Sequence, residues 1–388
     1  MKLLNIILLL GLLAMFAFMV VPTVSAVSAG GGVNISIETE EFPPMVWLCD
    51  SRVVLDDNTE PGRLESTRRH NITHCQNVSS YTICGDELLE RINNYAFEGE
   101  QIKWDVLVFD KNGIEKISDV FVTLGSTQGE GNDIEVNCIL DEVVSDQTEI
   151  PKSCNARILE EEIFYFTDNV AAFYTCLFTV ETPESMYDEF WVTVEAVDLD
   201  GLSGTMDENE FWFFNPVIAL SIDGTLAFTD VRPGTSSYSD TLLVTNDADA
   251  GSGVLLDMFI TGTDFYDSSS SGAKCPTTNQ LSLSRFRYYA VNGAYSTATD
   301  AENNNGGVVR DVDAEGYLNI EYGIGFNNPL PFYDNAEILQ AGPMSGPYYL
   351  ANILAPGADL AITFRLDLPE PCNGDFDTGS IYFWGEAI

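Results

Sequence analysis

A stretch with the two-residue period of a β-strand, followed by a turn, is the feature of this chain that most constrains its fold. In Trp104–Gly113 (WDVLVFDKNG), apolar residues recur at every second position from Trp104 to Val108, which is the period of a β-strand. The residues Asp110–Gly113 have turn chemistry, because Asn and Gly tolerate a positive φ. We therefore predict a tight hairpin that returns through residues 114–124.

The same pattern recurs at Val192–Gly201 (VTVEAVDLDG). Further strand candidates, separated by Gly, Asn, Asp and Pro, fill most of the chain. In the first half they cover residues 100–109, 115–124, 133–140, 155–166, 170–181 and 189–199; in the second half they cover 225–230, 238–245, 253–262, 280–291, 317–324, 347–354, 358–367 and 379–384. The one short helix that the pattern predicts covers 86–94, with Asp86 as N-cap. This spacing predicts an all-β protein.

The predicted organisation is two β-sandwich domains stapled by disulfides. One sandwich is expected over residues 27–215 and the other over 217–388. The polar stretch 56–84 lacks periodicity and is expected to be a cysteine-rich insertion in the first domain. Four consecutive aromatic residues, Phe211–Phe214, would be costly if exposed, so we expect them to seal the contact between the domains.

The N-terminus has the pattern of a secretory signal peptide over residues 1–26. An apolar run, Leu3–Val21, is followed by small residues at Val24-Ser-Ala26, which predicts cleavage before Val27. An uncleaved membrane anchor is the alternative, because about 19 apolar residues can just span a bilayer. The predicted location is extracellular or at the cell surface.

An even number of cysteines in an exported chain predicts disulfides rather than metal ligation. In the second half, Cys275 and Cys372 are expected to pair with each other. In the first half we expect Cys75–Cys84 and Cys138–Cys154 as short bridges, which leaves Cys49–Cys176. Three N-glycosylation sequons are consistent with export, and they begin at Asn34, Asn71 and Asn77.

The net charge of −43, from 60 acidic and 17 basic residues, makes nucleic acid and anionic lipid unsuitable partners because both are repelled. Contact with a membrane is expected only through a retained N-terminal segment. The acidity has three candidate causes: a salty habitat, cation binding, or the solubility of a crowded surface protein.

Calcium is the one cofactor that the sequence suggests. Alternating carboxylates before a glycine can wrap a cation in oxygen ligands, and this pattern occurs at Asp311, Asp313 and Glu315. A second candidate lies before the domain boundary and comprises Asp198 and Asp200 with the acidic run from Asp207 to Glu210. Solvated acidic turns are the alternative at both places.

Enzymatic motifs are not evident. His70 and His74 with Cys75 have a spacing that could bind zinc, but they lie in a sequon-bearing loop and Cys75 has a disulfide role. No His-Glu-x-x-His helix or Gly-x-Ser-x-Gly turn occurs. We therefore predict that the protein is not an enzyme, although paired carboxylates for glycoside hydrolysis stay open.

Two resemblances add to this interpretation. The segment WDVLVFDKNGIEKISDVFVTL, with VTVEAVDLDG later, resembles immunoglobulin-like extracellular surface modules, which join alternating strands at Asp-x-x-Gly turns. The second half has a Pro-Gly turn at Val231–Thr235, a strand that ends in Asn246, and a further Pro-Gly turn before Ile362–Leu366. This is similar to the sandwich of camelysin-like extracellular fibre subunits. The resemblances imply an immunoglobulin-like sandwich for residues 27–215, a jelly-roll or immunoglobulin-like sandwich for 217–388, and a role in assembly, but no catalytic or binding residue.

We therefore expect a secreted or cell-surface structural or adhesion protein, able to form part of an extracellular assembly. Its expected partners are copies of itself, other surface proteins or surface glycans. The alternatives are a secreted carbohydrate-active hydrolase and a calcium-dependent glycan-binding module.

Overall fold

The computed structural model describes residues 36–48, 52–55, 64–65, 75–78, 81–84, 88–91, 93–128, 134–146, 150, 169–206, 210–269, 271–300, 310–323, 336–342, 344–345 and 348–388. The predicted signal peptide, the strand at 155–166, and Asn34, Asn71, Cys49, Cys154 and Asp207 lie outside these residues. The chain divides into two compact units, Met1–Glu41 and Phe42–Ile388. In the first unit, the described residues 36–41 are exposed and lie outside any strand.

The described strands before residue 215 belong mainly to one sheet path. They are β1 (Met45–Trp47), β2 (Arg52–Leu55), β3 (Leu64–Glu65), β4 (Cys75–Val78), β5 (Tyr81–Cys84), β6 (Leu88–Arg91), β7 (Tyr95–Ala96), β8 (Gln101–Phe109), β9 (Ile117–Gly125), β10 (Ile134–Val143), β11 (Ala171–Thr179), β12 (Asp188–Asp198), β13 (Ser203–Thr205) and β14 (Glu210–Phe214). Their order is β3-β6-β2-β8-β11-β10-β9-β12-β14-β7, with β1 beside β8 and β13 beside β12; β4 and β5 pair separately.

Strand β10 folds this sheet path into two facing layers. Its residues 134–137 pair with β9, whereas residues 138–143 pair with β11. Trp104 and Val108 of β8 then pack in the same buried cluster as Val122 of β9 and Val194 of β12. Burial of these side chains between the layers removes apolar surface from water, which is the main source of stability in a sandwich.

The second strand group forms another sandwich. Its members are β15 (Leu220–Asp223), β16 (Ser236–Asn246), β17 (Leu256–Gly262), β18 (Phe265–Tyr266), β19 (Gln280–Leu281), β20 (Phe286–Asn292), β21 (Tyr295–Ser296), β22 (Leu318–Asn319), β23 (Glu321–Tyr322), β24 (Met344–Ser345), β25 (Tyr348–Tyr349), β26 (Ile353–Leu354), β27 (Asp359–Asp367) and β28 (Ile381–Ala387), with one short helix, α1 (Thr297–Asp300). One sheet has the order β15-β16-β27-β20-β21, and β17 is central in the other, between β28 and both β23 and β26. Val244, Phe364 and Met258 share the buried core.

The all-β fold class predicted from the sequence is confirmed. Among the described residues, helix comprises α1, the single residue Ala336 and 3₁₀ turns at Ile114–Lys116 and Leu283–Arg285. The helix predicted over 86–94 is wrong, because Leu88–Arg91 pairs as β6 with β2 and β3. Sheet pairing here outweighs the local helical pattern. The strand predicted at 225–230 is also absent, and the edge strand β15 lies just before it.

The two Asp-x-x-Gly turns have different roles in the fold. The turn after Asp198 joins β12 to β13 as a hairpin, as predicted. The turn at Asp110–Gly113 does not form a hairpin, because the strand that follows it, β9, lies in the opposite layer and does not pair with β8. Both edges of β8 are already occupied, by β11 on one side and by β1 and β2 on the other. The predicted first hairpin is therefore an arch between layers.

The disulfides differ in part from the predicted pairing. The Cys275–Cys372 bridge is present, as expected. Cys176 pairs with Cys138, so the predicted Cys138–Cys154 and Cys49–Cys176 bridges are wrong. The reason is register: β10 and β11 place Cys138 directly opposite Cys176. In the β4–β5 hairpin, Cys75 lies opposite Cys84 in the same way.

Candidate functional site

Arginines surround the first group of carboxylates for which the sequence suggests calcium. Asp313 Oδ2 lies 2.6 Å from Arg365 Nη2, and Glu315 Oε2 accepts a hydrogen bond of 3.0 Å from Arg365 Nη1. Asp311 Oδ2 lies 3.6 Å from Arg287 Nη2. Asp313 Oδ1 meanwhile accepts from the N–H groups of Glu315 and Tyr317. These contacts form an ion-pair network between the arginines of β20 and β27 and the acidic segment 311–315.

Arg365 is the centre of this network. The β27 strand holds its side chain 4.9 Å above the ring of Tyr317 and 3.2 Å from Asp367. Burial alone would raise the pKa of Asp313, but hydrogen bonds from the Tyr317 N–H and from Arg365 outweigh it and lower the pKa. The positive charge that balances Asp313 and Glu315 therefore comes from a guanidinium of the chain itself.

The second group predicted to bind calcium shares no common centre among its described members. The Asp198 carboxylate accepts hydrogen bonds from the N–H groups of Asp200 and Leu202, at 2.9 and 2.7 Å, and so closes its own turn. The Asp200 carboxylate points to Lys116, with 2.7 Å between Oδ2 and Nζ. Among the described residues, no group of three or more His, Cys, Asp and Glu side chains converges as a metal site requires.

Asp110 lies close to Asp198 and was not singled out from the sequence as a site residue. Its side chain is fully buried, its Oδ1 accepts from the Asn112 N–H at 2.7 Å, and its Oδ2 has no hydrogen-bond partner. Burial raises the pKa of Asp110, and the nearby negative charge of Asp198 raises it further. The Asp-x-x-Gly pattern identified the turn but not this burial.

A buried ion pair in the second sandwich joins Asp300, the last residue of α1, to Arg310. Arg310 Nη1 lies 3.2 Å from Asp300 Oδ2, and Arg310 also donates to the hydroxyl of Tyr288. Burial raises the pKa of Asp300 to about 6, although the charge of Arg310 acts against this rise. Burial likewise raises the pKa of Tyr288 to about 12. These groups connect α1 to β20 inside the core.

Strand β14 connects the two sandwiches through its alternating side chains. Trp212 and Phe214 lie in the core of the first sandwich, while Phe213 lies in the core of the second together with Tyr95 of β7. The Tyr95 hydroxyl donates to the Ile388 carbonyl at 2.7 Å. The predicted role of the four aromatic residues therefore holds for Phe213, whereas Phe211 is 41 % exposed.

A buried carboxylate, Glu210, begins the same strand. Its oxygens accept hydrogen bonds from Arg52, from Asn94 Nδ2 at 3.1 Å and from Trp212 Nε1 at 3.2 Å. A charge inside an apolar strand is costly unless it is paired in this way. From the sequence, Glu210 was singled out only as the last residue of the acidic run in the second candidate calcium site, and its partners Arg52, Asn94 and Trp212 were not predicted.

An open cavity of about 310 Å³ lies at the junction of the sandwiches, and Arg52 and Asn94, two partners of Glu210, are part of its lining. The first sandwich contributes polar side chains and phenylalanine rings, and the second contributes the turn Gly251-Ser-Gly253. The side chains that line it are Arg52, Asn93, Asn94, Phe211, Phe213 and Ser252. None of these residues was a predicted site residue, because they come together only when the two halves pack.

Comparisons with known proteins give distant likenesses. No family model and no curated protein matches the chain. The solved structures that resemble it include the C-terminal domain of the AgI/II polypeptide BspA of Streptococcus agalactiae (10% identity, TM-score 0.29, 89% of this chain and 97% of that one); a putative secreted protein from Eubacterium rectale (8%, 0.20, 91% and 95%); and the collagen adhesin of S. aureus (10%, 0.15, 76% and 84%).

TM-scores this low carry no argument about fold or function, so the fold assignment depends on the strands described above. The similarity to camelysin-like fibre subunits finds no support in these comparisons. Among the described residues, no helix is long and apolar enough to cross a membrane.

Proposed function

We propose that the protein is an exported structural or adhesion protein of the cell surface. The observation that carries the proposal is the packed junction, in which Tyr95 and Phe213 of the first sandwich belong to the core of the second. Shared core residues hold tandem domains in one orientation, whereas exposed linkers permit movement. A stiff pair of sandwiches is suited to projecting a surface away from a cell or to transmitting load.

The disulfides support the exported location. Cys138–Cys176 closes 38 residues and Cys275–Cys372 closes 97 residues. Such bridges persist in oxidising compartments and are rare where thiols are kept reduced. The charge of −43 also favours solubility at a crowded surface. The proposal includes removal of residues 1–26 and glycans on the predicted sequons.

Protease treatment of intact cells that produce the full chain tests this location. We expect the protein to be digested from outside, with a mature N-terminus near Val27 and with Cys138–Cys176 and Cys275–Cys372 among the bridged pairs in non-reducing mass spectrometry. A chain retained in the cytosol with reduced cysteines would contradict the proposal.

Electron microscopy of the purified protein tests the assembly role. Filaments or ordered clusters are expected if copies of the chain are its partners, and monomers at all salt and calcium concentrations would exclude self-assembly. The proposal also includes no hydrolytic activity, which is supported by the engagement of Glu210, Asp313 and Glu315 with arginines. Release of reducing ends from polysaccharides would contradict that part.

A further inference from the structure

We propose that the junction cavity binds a neutral sugar ring, as the terminal unit of a surface glycan. The cavity is defined by Arg52, Asn93, Asn94, Phe211, Phe213 and Ser252. This inference rests on the adhesive role proposed above and gives that role a site. It follows from the volume of the cavity, from the donors and acceptors of its lining residues that are not used in hydrogen bonds within the protein, and from the charge of the cavity.

The volume suits one sugar ring. Small-molecule sites generally have volumes of about 300–1,000 Å³, and this cavity, at about 310 Å³, is at the lower end of that range. Its open form allows the remainder of a glycan to continue into solvent. A long oligosaccharide could not be buried along its length here.

The polar groups of the cavity include unused donors and acceptors. Arg52 donates through Nη1 to Glu210, which leaves further N–H groups of the guanidinium for a ligand. Both N–H groups of the Asn94 amide are directed to Glu210 Oε1 and Phe211 O, so its side-chain oxygen remains as an acceptor. The Ser252 hydroxyl accepts from the Val254 N–H and keeps its own hydrogen for donation.

The chemistry of a pyranose matches this mixture. Its hydroxyl groups both donate and accept, so they can use a guanidinium, an amide oxygen and a serine hydroxyl together. Its C–H faces are apolar and can lie against phenylalanine, and the Phe211 ring is 41 % exposed. This cavity combines polar side chains with phenylalanine rings, and placed polar groups are what fix the orientation of a small ligand.

The charge balance favours a neutral sugar. The positive charge of Arg52 is already balanced by Glu210, whose side chain is 6 % exposed. The whole chain carries −43, which repels anionic polysaccharides. Uronic or sialic acids therefore gain little from Arg52, and a neutral hexose or N-acetylhexosamine is the expected ligand class.

Saturation-transfer NMR on the full oxidised chain tests binding. The probes are the methyl glycosides of glucose, galactose, mannose and N-acetylglucosamine, with methyl glucuronide as the anionic comparison. We expect at least one neutral glycoside to bind, with a Kd of about 1 mM. Transfer to none of the neutral probes, or to the glucuronide alone, would overturn the proposal.

Two variants locate the bound sugar. Gly253→Asn adds bulk at the cavity rim, where a new Cβ would meet nothing within 4 Å and where φ is +73°, which Asn tolerates. Phe211→Ala removes an apolar surface. Each is expected to weaken binding about tenfold, a change of about 1.4 kcal/mol. The matched control is Tyr266→Ala, at a side chain 40 % exposed in another hairpin.

Circular dichroism and the Tm show whether each variant is folded, so Gly253→Asn and Phe211→Ala provide independent tests. If both remain folded and bind as the unchanged protein does, the sugar is not in this cavity and the proposal fails. Surface exposure of the chain is measured separately on intact cells. A protein that reaches the surface but binds no sugar would reject this inference and leave the structural role standing.

Discussion

At the scale of single residues, Asp110 combines complete burial with an unpaired carboxylate oxygen. Its folded pKa is raised above the ordinary value of 3.8, so the folded state favours the protonated acid. The stability that this group contributes is therefore present below about pH 4 and is lost as pH rises through the folded pKa.

We expect Asp110→Asn to stabilise the protein at pH 7 by roughly 1 kcal/mol, because it removes a buried charge beside Asp198 and keeps the side-chain oxygen that caps the Asn112 N–H. Urea denaturation at pH 7 and pH 4 measures this, and the gain should shrink at pH 4. Asp200→Asn is the control, since Asp200 is exposed and paired with Lys116. A variant less stable than the parent at pH 7 would contradict the prediction.

Asp300 gives a second pH dependence, in the other sandwich. Burial raises its pKa to about 6, so the protonated form is favoured by folding. Its contribution is complete below about pH 4 and is lost between pH 4 and roughly pH 7, with a total near 3 kcal/mol.

Denaturation profiles of the parent and of Asp300→Asn over this pH range test that expectation. In the variant a neutral amide takes the place of the protonated acid, so the loss of stability between pH 4 and pH 7 should be absent. The decisive quantity is therefore the slope against pH, which should be smaller in the variant. Parallel profiles would show that Asp300 does not titrate in this range.

At the scale of elements, the close approach of β13 to the segment before β1 depends on Gly204. A Cβ at this position would lie 1.7 Å from the carbonyl oxygen of Pro44, closer than any contact can be. We expect Gly204→Ala to displace β1 and to destabilise the protein by about 1–3 kcal/mol.

Limited proteolysis near residues 42–47, together with the Tm, measures this displacement. Gly201→Asn is the control, because its φ of +83° suits Asn and a Cβ there meets nothing within 4 Å. Equal stability and equal protease resistance in Gly204→Ala and Gly201→Asn would contradict the argument.

The Cys138–Cys176 bridge lies where β10 changes partner from β9 to β11. It closes 38 residues, so its removal should raise the entropy of the denatured state and destabilise the protein by about 3–4 kcal/mol. Chemical denaturation of the double variant Cys138→Ala/Cys176→Ala measures this loss. Non-reducing peptide mapping is the independent check, and a peptide linking Cys138 to Cys154 would refute the pairing.

The sequence predicted the features of the fold that depend on local patterns, and it missed those that depend on strands distant in sequence. Alternation placed β8 within one residue of its observed start, since it depends only on which side chains are buried. Whether the turn at Asp110 forms a hairpin depends on which strands flank β8, and those strands are distant in sequence. The same limit explains Cys138, whose partner is set by the β10–β11 register rather than by chain separation.

The candidate site was less accessible to sequence reasoning than the fold. Carboxylate spacing at Asp311–Glu315 suggested calcium, but Arg365 reaches the same point from a strand about 50 residues further along the chain and supplies the positive charge. The junction cavity combines Arg52, Asn94, Phe211 and Ser252, which no local pattern connects. Such a site exists only once the two halves have packed.

At the scale of the whole molecule, the junction couples the folding of the two sandwiches. Tyr95 is fully buried in the second core, and its hydroxyl donates to Ile388. Asp249 adds a polar contact, since its Oδ2 accepts from the Tyr187 hydroxyl at 3.0 Å. We therefore expect the full chain to unfold in one calorimetric transition, because neither sandwich can keep its core when the other unfolds.

Tyr95→Ala tests this coupling directly. Loss of the ring leaves a cavity in the shared core and is expected to cost about 3–5 kcal/mol, so that the single transition separates into two. Tyr95→Phe is the matched control, because it keeps the ring and removes the hydroxyl that donates to Ile388, at about 1 kcal/mol for that hydrogen bond. Scanning calorimetry of both variants distinguishes the outcomes. Two transitions already present in the unchanged protein would mean that the sandwiches are independent, and the stiffness on which the proposed surface role depends would then be absent.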